Sequence, residues 1–147
     1  MALKLGMQAK LYYKTGGVAT AGAWTELGNI KDLTLSLETG EADVTTRANA
    51  GWRATVGTLK EGSVEFEMVW NTGDPGFTVI KNAFFAGSAI GLAIMDGEIA
   101  TAGSQGLQAD FSITTFSRNE ALEEAITVSV TAKPTYSTVA PTWAVIS

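Results

Sequence analysis

The stretch from Asp32 to Trp70 constrains what this chain can fold into more than any other. It opens on strict alternation of Leu33, Leu35 and Leu37 and closes on Val64, Phe66, Met68 and Trp70, and a period of two marks strands with one face buried. Between them, EADVTTRANAGWRATVGT, from Glu41 to Thr58, is too rich in Thr and Val for a disordered linker and too poor in large apolar side chains to build a core of its own. It reads as a β arm that needs another surface. Because unpaired strand edges are templates for joining neighbours, such an arm suits the subunit of a polymer better than a monomeric enzyme.

The flanking sequence continues in strands. Lys10 to Lys14 and Ala23 to Ile30 are short candidates separated by a glycine-rich turn at Thr15 to Gly22. A single helix is expected over residues 75–86, where Asp74 caps, Pro75 takes the first helical position, Phe77, Ile80 and Phe84 recur at helical spacing, and Gly87 stops the run. Ala89 to Met95 is a continuous apolar strand and Gly97 to Gly106 a loop. Leu107 to Phe116 alternates through Ala109, Phe111 and Ile113, and Glu123 to Ala132 through Ile126, Val128 and Val130. Pro134 and Pro141 bracket a tail over residues 134–147 whose TWAVIS ending suggests docking. With 147 residues, 46% of them hydrophobic, the chain is expected to be one mainly β domain, a β-sandwich or open barrel with one flanking α-helix and a long β-hairpin arm at about residues 39–60.

With apolar residues inward, the four alternating strands turn outward Asp32, Thr34, Ser36 and Glu38, then Ser63, Glu65, Glu67 and Val69, then Gln108, Asp110, Ser112 and Thr114, and finally Thr127, Ser129 and Thr131. Five of these are carboxylates and none is Lys or Arg. If the strands share a sheet, this is a hydroxyl-rich acidic face with nothing to hold a phosphate. An ordinary solvated face would look the same in a chain with only ten basic residues. A ring of copies joined through the arm would nevertheless close such faces around a bore.

Chemistry is sparse. The chain has no His and no Cys, so the commonest general base, metal ligand and thiolate nucleophile are all missing, and a reducing cytosol is the simpler folding environment. There is no GxSxG elbow, Walker loop or dinucleotide fingerprint, and GSQG at Gly103 to Gly106 is too short to cradle phosphate. Neither an enzymatic role nor a cofactor or metal is expected. The carboxylates Glu65 and Glu67, or Glu123 and Glu124 near Arg118, can be paired on paper into a glycosidase-like dyad, but acids on strand faces are usually solvated. Asp96 and Glu98 around Gly97 fit turn chemistry better than a calcium site. A formal charge of −5 and a pI near 4.6 disfavour gripping nucleic acid, though not its passage. No signal peptide and no run of about 18 apolar residues is found, so a soluble, unexported protein without a membrane partner is expected. Trp24, Trp52, Trp70 and Trp143 raise the alternative of a carbohydrate-binding β-sandwich module. Core and subunit-contact roles suit them better, with Trp52 the arm's natural anchor in a partner's pocket. Arg47 and Arg53 flank it, either as salt-bridging or solubilising groups or as charge partners for an acidic neighbour.

GWRATVGTLKEGSVEFEMVW at Gly51 to Trp70, the DPGF-headed helix at Asp74, and FSRNEALEEAITVSVTAKPTYS at Phe116 to Ser137 together resemble the major tail tube proteins of long-tailed bacteriophages, over nearly the whole chain and in the same order. The resemblance implies a β-sandwich with a flanking helix that assembles into hexameric rings, in which inner sheets join into a continuous barrel, stacked as a hollow tube for genome delivery from the virion tail. It implies that the arm, through Glu41, Asp43, Arg47, Trp52 and Arg53, contacts the next ring, and that Glu38, Glu65, Glu67 and Asp110 line the lumen, where like charge keeps DNA sliding without specific binding. Assembly in the bacterial host cytoplasm, with tape-measure and tail-terminator or tail-tip proteins as further partners, follows from the same likeness. Some relatives carry an additional immunoglobulin-like domain; none is read here, so outer decoration is not expected. Related tube folds also serve contractile tails and secretion-type injection machines, which stays open as an alternative.

Overall fold

The computed structural model describes residues 3–147. Eight strands and one α-helix follow in the order β1 (Lys10–Thr15), β2 (Thr25–Glu26), β3 (Ile30–Asp43), β4 (Thr55–Val69), α1 (Pro75–Ala86), β5 (Ile90–Met95), β6 (Gln105–Asn119), β7 (Thr127–Pro134) and β8 (Thr142–Val145). All strands lie in one antiparallel sheet of order β2-β1-β5-β6-β7-β4-β3, with β8 beside β6. Of sandwich and open barrel, the chain adopts the second: the sheet is continuous and curled into a half barrel. The two alternating runs around the arm become strands of 14 and 15 residues, so the arm is a direct extension of the sheet.

One face of the sheet carries the core. The register sets Leu33 opposite Phe66, Phe66 opposite Val130 and Val130 opposite Phe116, with Leu35, Val64, Ala132 and Ile113 forming the next row. Onto these rows α1 presses Phe77, Ile80 and Ala83. Its ends are built as the sequence indicates: the Asp74 carboxylate accepts the Phe77 N–H at 3.3 Å, and Gly87 takes the left-handed conformation (φ 65°) that lets Ser88 N–H reach the Ala83 carbonyl. Trp70 meets Phe77 edge-on at 4.8 Å, and the Arg118 guanidinium lies 5.1 Å from the Trp70 ring.

The opposite face has a smaller cluster of Tyr12, Ala93 and Met95, onto which Trp24, Ile99 and Ile146 pack. The TWAVIS tail thus docks on its own chain, β8 pairing with β6 from Gln105 to Gln108. Around the same corner, Lys10 Nζ lies 2.9 Å from Glu26 and 2.7 Å from Glu98. The hydrogen bond from Lys10 holds the Glu98 carboxyl below its ordinary value, and the bonds to Glu98 and Glu26 raise the ammonium.

Three local expectations are corrected. Of Ala23 to Ile30, only Thr25–Glu26 forms β2, because Leu27 turns inward and its N–H bonds to the Leu11 carbonyl. Glu123 to Ile126 is loop, and β7 starts at Thr127, the residue opposite Val69 and Asn119. The alternation expected through Phe116 breaks at a register shift between Ile113 and Thr115 in β6, which leaves Thr114 exposed and adds Thr115 and Ser117 opposite Thr131 and Ser129.

Candidate assembly surfaces

The arm projects past the body of the sheet. β7 pairs with β4 only from Val64 to Val69, so among the described residues β4 from Thr55 to Ser63 has no partner but β3. At about 3.3 Å per residue those nine residues reach about 30 Å. The hairpin is closed by its own hydrogen bonds: Val44 N–H to the Ala54 carbonyl, Ala54 N–H to Thr45 Oγ1, and Trp52 N–H to the Asn49 carbonyl. Asp43 accepts from Thr45 N–H at 2.8 Å, and bonding to Thr45 lowers its carboxyl below the ordinary value. Ala50 and Gly51 both take positive φ (53° and 87°) to turn the chain back.

A hairpin so closed presents its apolar side chains to water instead of burying them. Trp52 is 78% exposed and Leu59 81%, with Leu37, Val44 and Val56 also exposed. Asp43, Arg47, Trp52 and Arg53 border one shallow cleft at the tip, while Glu41 sits lower, opposite Gly57. Among the described residues neither arginine lies within ion-pair distance of an acid, so a salt bridge inside the hairpin does not account for them. Trp52 and the two arginines without an acidic partner share this tip, while Leu37, Val56 and Leu59 are exposed along the strands that lead to it.

On the face away from α1, cross-strand rows assemble the acidic surface. Thr34, Glu65, Thr131 and Thr115 form one row, and Glu67, Ser129 and Ser117 the next. Glu38 stands directly opposite Glu61, a like-charge pair that costs stability in an isolated sheet. Glu61 was reachable from the sequence by carrying the alternation of Glu67, Glu65 and Ser63 one step further. Lys133, in register with Ser112, puts a base on the outer face of these strands, which corrects the expectation of none and follows from the strand continuing past Ala132; Lys10 and Lys14 of β1 lie on the same face of the sheet, in the rows of Met95 and Gly91. Among the described residues Glu38, Glu61, Glu65 and Glu67 make no ion pair.

Asp110 does not belong with them. It is 7% exposed, its carboxylate accepting from Val18 N–H at 2.7 Å and from the Ser137 hydroxyl, while its carbonyl accepts Thr135 N–H. The chain crosses over it at Gly17 (φ 104°), where a Cβ would fall 2.9 Å from the carboxylate. Strand alternation assigned the face correctly, but the loop and tail segments that cover Asp110 leave no periodic trace. Asp110 is a clamp that ties the Thr15–Gly22 turn and the C-terminal segment to the sheet. Asp110→Ala leaves the Val18 N–H without its partner and is expected to lower stability by about 1–3 kcal/mol in urea unfolding.

Other candidates separate in space. Arg118 pairs with Glu120, not with Glu123 or Glu124. Asp96 accepts the Gln105 N–H at 3.0 Å and Glu98 faces Lys10, as turn residues do. Trp24 lies under the Lys14 ammonium, Trp70 against Phe77, Trp52 at the arm tip and Trp143 on β8, so they form no common platform. Among the described residues no group of three acidic side chains converges to hold a metal ion, and no helix is long and apolar enough to cross a membrane.

Comparison with known proteins agrees with this geometry. No curated protein matches the sequence. The fold is that of the tail of an empty GTA particle determined with C6 symmetry (15% identity, 99% of this chain and all of that one, TM-score 0.76). It is also that of the SPP1 tail tube (16% identity, 99% of this chain and 81% of that one, TM-score 0.76). The baseplate of the anti-feeding prophage contains a similar chain (7% identity, 99% and 98% covered, TM-score 0.65). The family described as phage tail tube protein matches residues 10–135, and with so much of its length matched the chain belongs to the phage tail tube protein family.

Proposed function

We propose that this chain is a structural, non-enzymatic subunit that forms hexameric rings, stacked into a hollow conduit for genome delivery in a virion tail. The observation that carries this reading is the arm: a hairpin paired only with itself, apolar at its tip, reaching beyond the sheet that supports it. Two bare edges supply the ring contacts. β3 ends the sheet along its whole length, and β6 from Ser112 to Asn119 has no strand on its β5 side among the described residues. Pairing one copy's β3 with the next copy's β6 would extend the curled sheet into a closed barrel and remove both edges. The face carrying Glu38, Glu61, Glu65 and Glu67 would then line the bore, and its charge would keep DNA from adhering to the wall. The like-charge pairing of Glu38 with Glu61 fits such a role, since it costs the monomer stability for no benefit within the monomer. Subunits would assemble in the host cytoplasm, with tape-measure and terminator or tip proteins as partners at the tube's core and ends.

Virions built with Glu65→Lys and Glu67→Lys together are expected to assemble normally and to release DNA more slowly, because about a dozen cations per ring would meet the phosphates. Ejection kinetics unchanged from wild type would place these residues away from the bore.

A further inference from the structure

Which surface receives the arm can be argued from where the sheet puts its charges. β4 runs 15 residues from the arm tip at Thr55 to Val69, a span of about 50 Å. At its far end Val69 pairs with Thr127, Thr127 with Asn119, and Trp70 N–H bonds to the Ile126 carbonyl. The β6–β7 loop therefore sits at the end of the sheet opposite the arm. Two exposed apolar residues mark it: Leu122, 99% exposed, and Ile126. Around them stand Glu120, Glu123 and Glu124, of which only Glu120 has a basic partner among the described residues. The tip at the other end offers the complement, Trp52 between Arg47 and Arg53, with the one carboxylate of that cleft, Asp43, engaged by the Thr45 N–H.

We infer that the arm tip of one copy docks on the β6–β7 loop of a second copy, Trp52 against Leu122 and Ile126, with Arg47 and Arg53 facing Glu123 and Glu124. Complementary patches at opposite ends of one subunit make a heterologous contact, which repeats without closing and so propagates along an axis. An isologous arm-to-arm contact would instead bring four arginines together. The apolar centre with a charged rim is the arrangement in which an aromatic anchor contributes most and the charges set register and partner choice. This inference rests on the tube reading and deepens it by naming the receiving surface.

The test is charge exchange in the full chain, read by sedimentation across a concentration series, with circular dichroism confirming that each variant is folded. Arg47→Glu with Arg53→Glu is expected to raise the concentration needed for assembly about tenfold or more, equivalent to at least about 1.4 kcal/mol. Glu123→Arg with Glu124→Arg is expected to do the same, and combining all four substitutions to restore assembly to within about threefold of wild type. If the folded four-fold variant stays as defective as the doubles, or if Glu123→Arg with Glu124→Arg assembles like wild type, the inference is overturned while the tube reading stands. Rescue of the arginine variant by Glu65→Arg with Glu67→Arg would overturn it too, moving the arm onto the acidic face. A wild-type chain that never associates overturns the tube reading itself, and this inference with it.

Discussion

Removing Asp43 to Thr55 is expected to give a folded protein that no longer polymerises. The deleted residues pair with each other and with nothing in the body of the sheet: the tip hydrogen bonds run within Asp43 to Ala54, and none of these side chains belongs to the core. Loss of an exposed loop changes chain entropy by well under a few kcal/mol, so the thermal midpoint should move by only about a few degrees. Assembly should nevertheless fail completely, since in the proposed tube the arm provides the contact between rings. A deletion variant that still makes tubes at the wild-type concentration would remove the arm from the mechanism.

The second large effect lies in the core. Phe77 is among the largest fully buried side chains, contacts Trp70 and Phe116 with its ring, and with Ile80 and Ala83 anchors α1 to the sheet. Phe77→Ala leaves a cavity that the helix above cannot fill, because the capping bond from Asp74 and the turn at Gly87 fix both ends of α1. A loss of about 3–5 kcal/mol is expected in urea unfolding, a large share of the stability of a domain this size. A loss below about 1 kcal/mol would show that α1 packs less tightly than its contacts imply.

How far these elements could be read from the sequence depended on whether their physics is local. The helix was legible to the residue, since Asp74, Pro75 and Gly87 encode its ends within the segment. β3, β4 and β6 announced themselves by alternation, and Glu65 and Glu67 fell on the face that period two assigns them. What failed was decided elsewhere in the chain. Glu123 to Ile126 continues the apolar rhythm of β7 into a loop because β6 ends at Asn119 and offers no further partner. Asp110 has the right parity for an exposed face, yet segments more than 20 residues away in sequence cover it. The step at Ile113 to Thr115 brings Thr115 out beside the exposed Thr114 through a bulge that no residue preference marks. The arm is legible as an anomaly, too β-like to be disordered and too polar to be core; that it stands free of the body follows from the pairing of β7 with β4, which stops at Val64.

In the proposed tube an isolated subunit leaves β edges and a hairpin that only further copies complete. Electron microscopy of the purified full-length chain over a rising concentration series tests it most directly. The account predicts hollow tubes of stacked rings with six-fold symmetry above a threshold concentration. A preparation that shows only dispersed single subunits at millimolar concentration would contradict it.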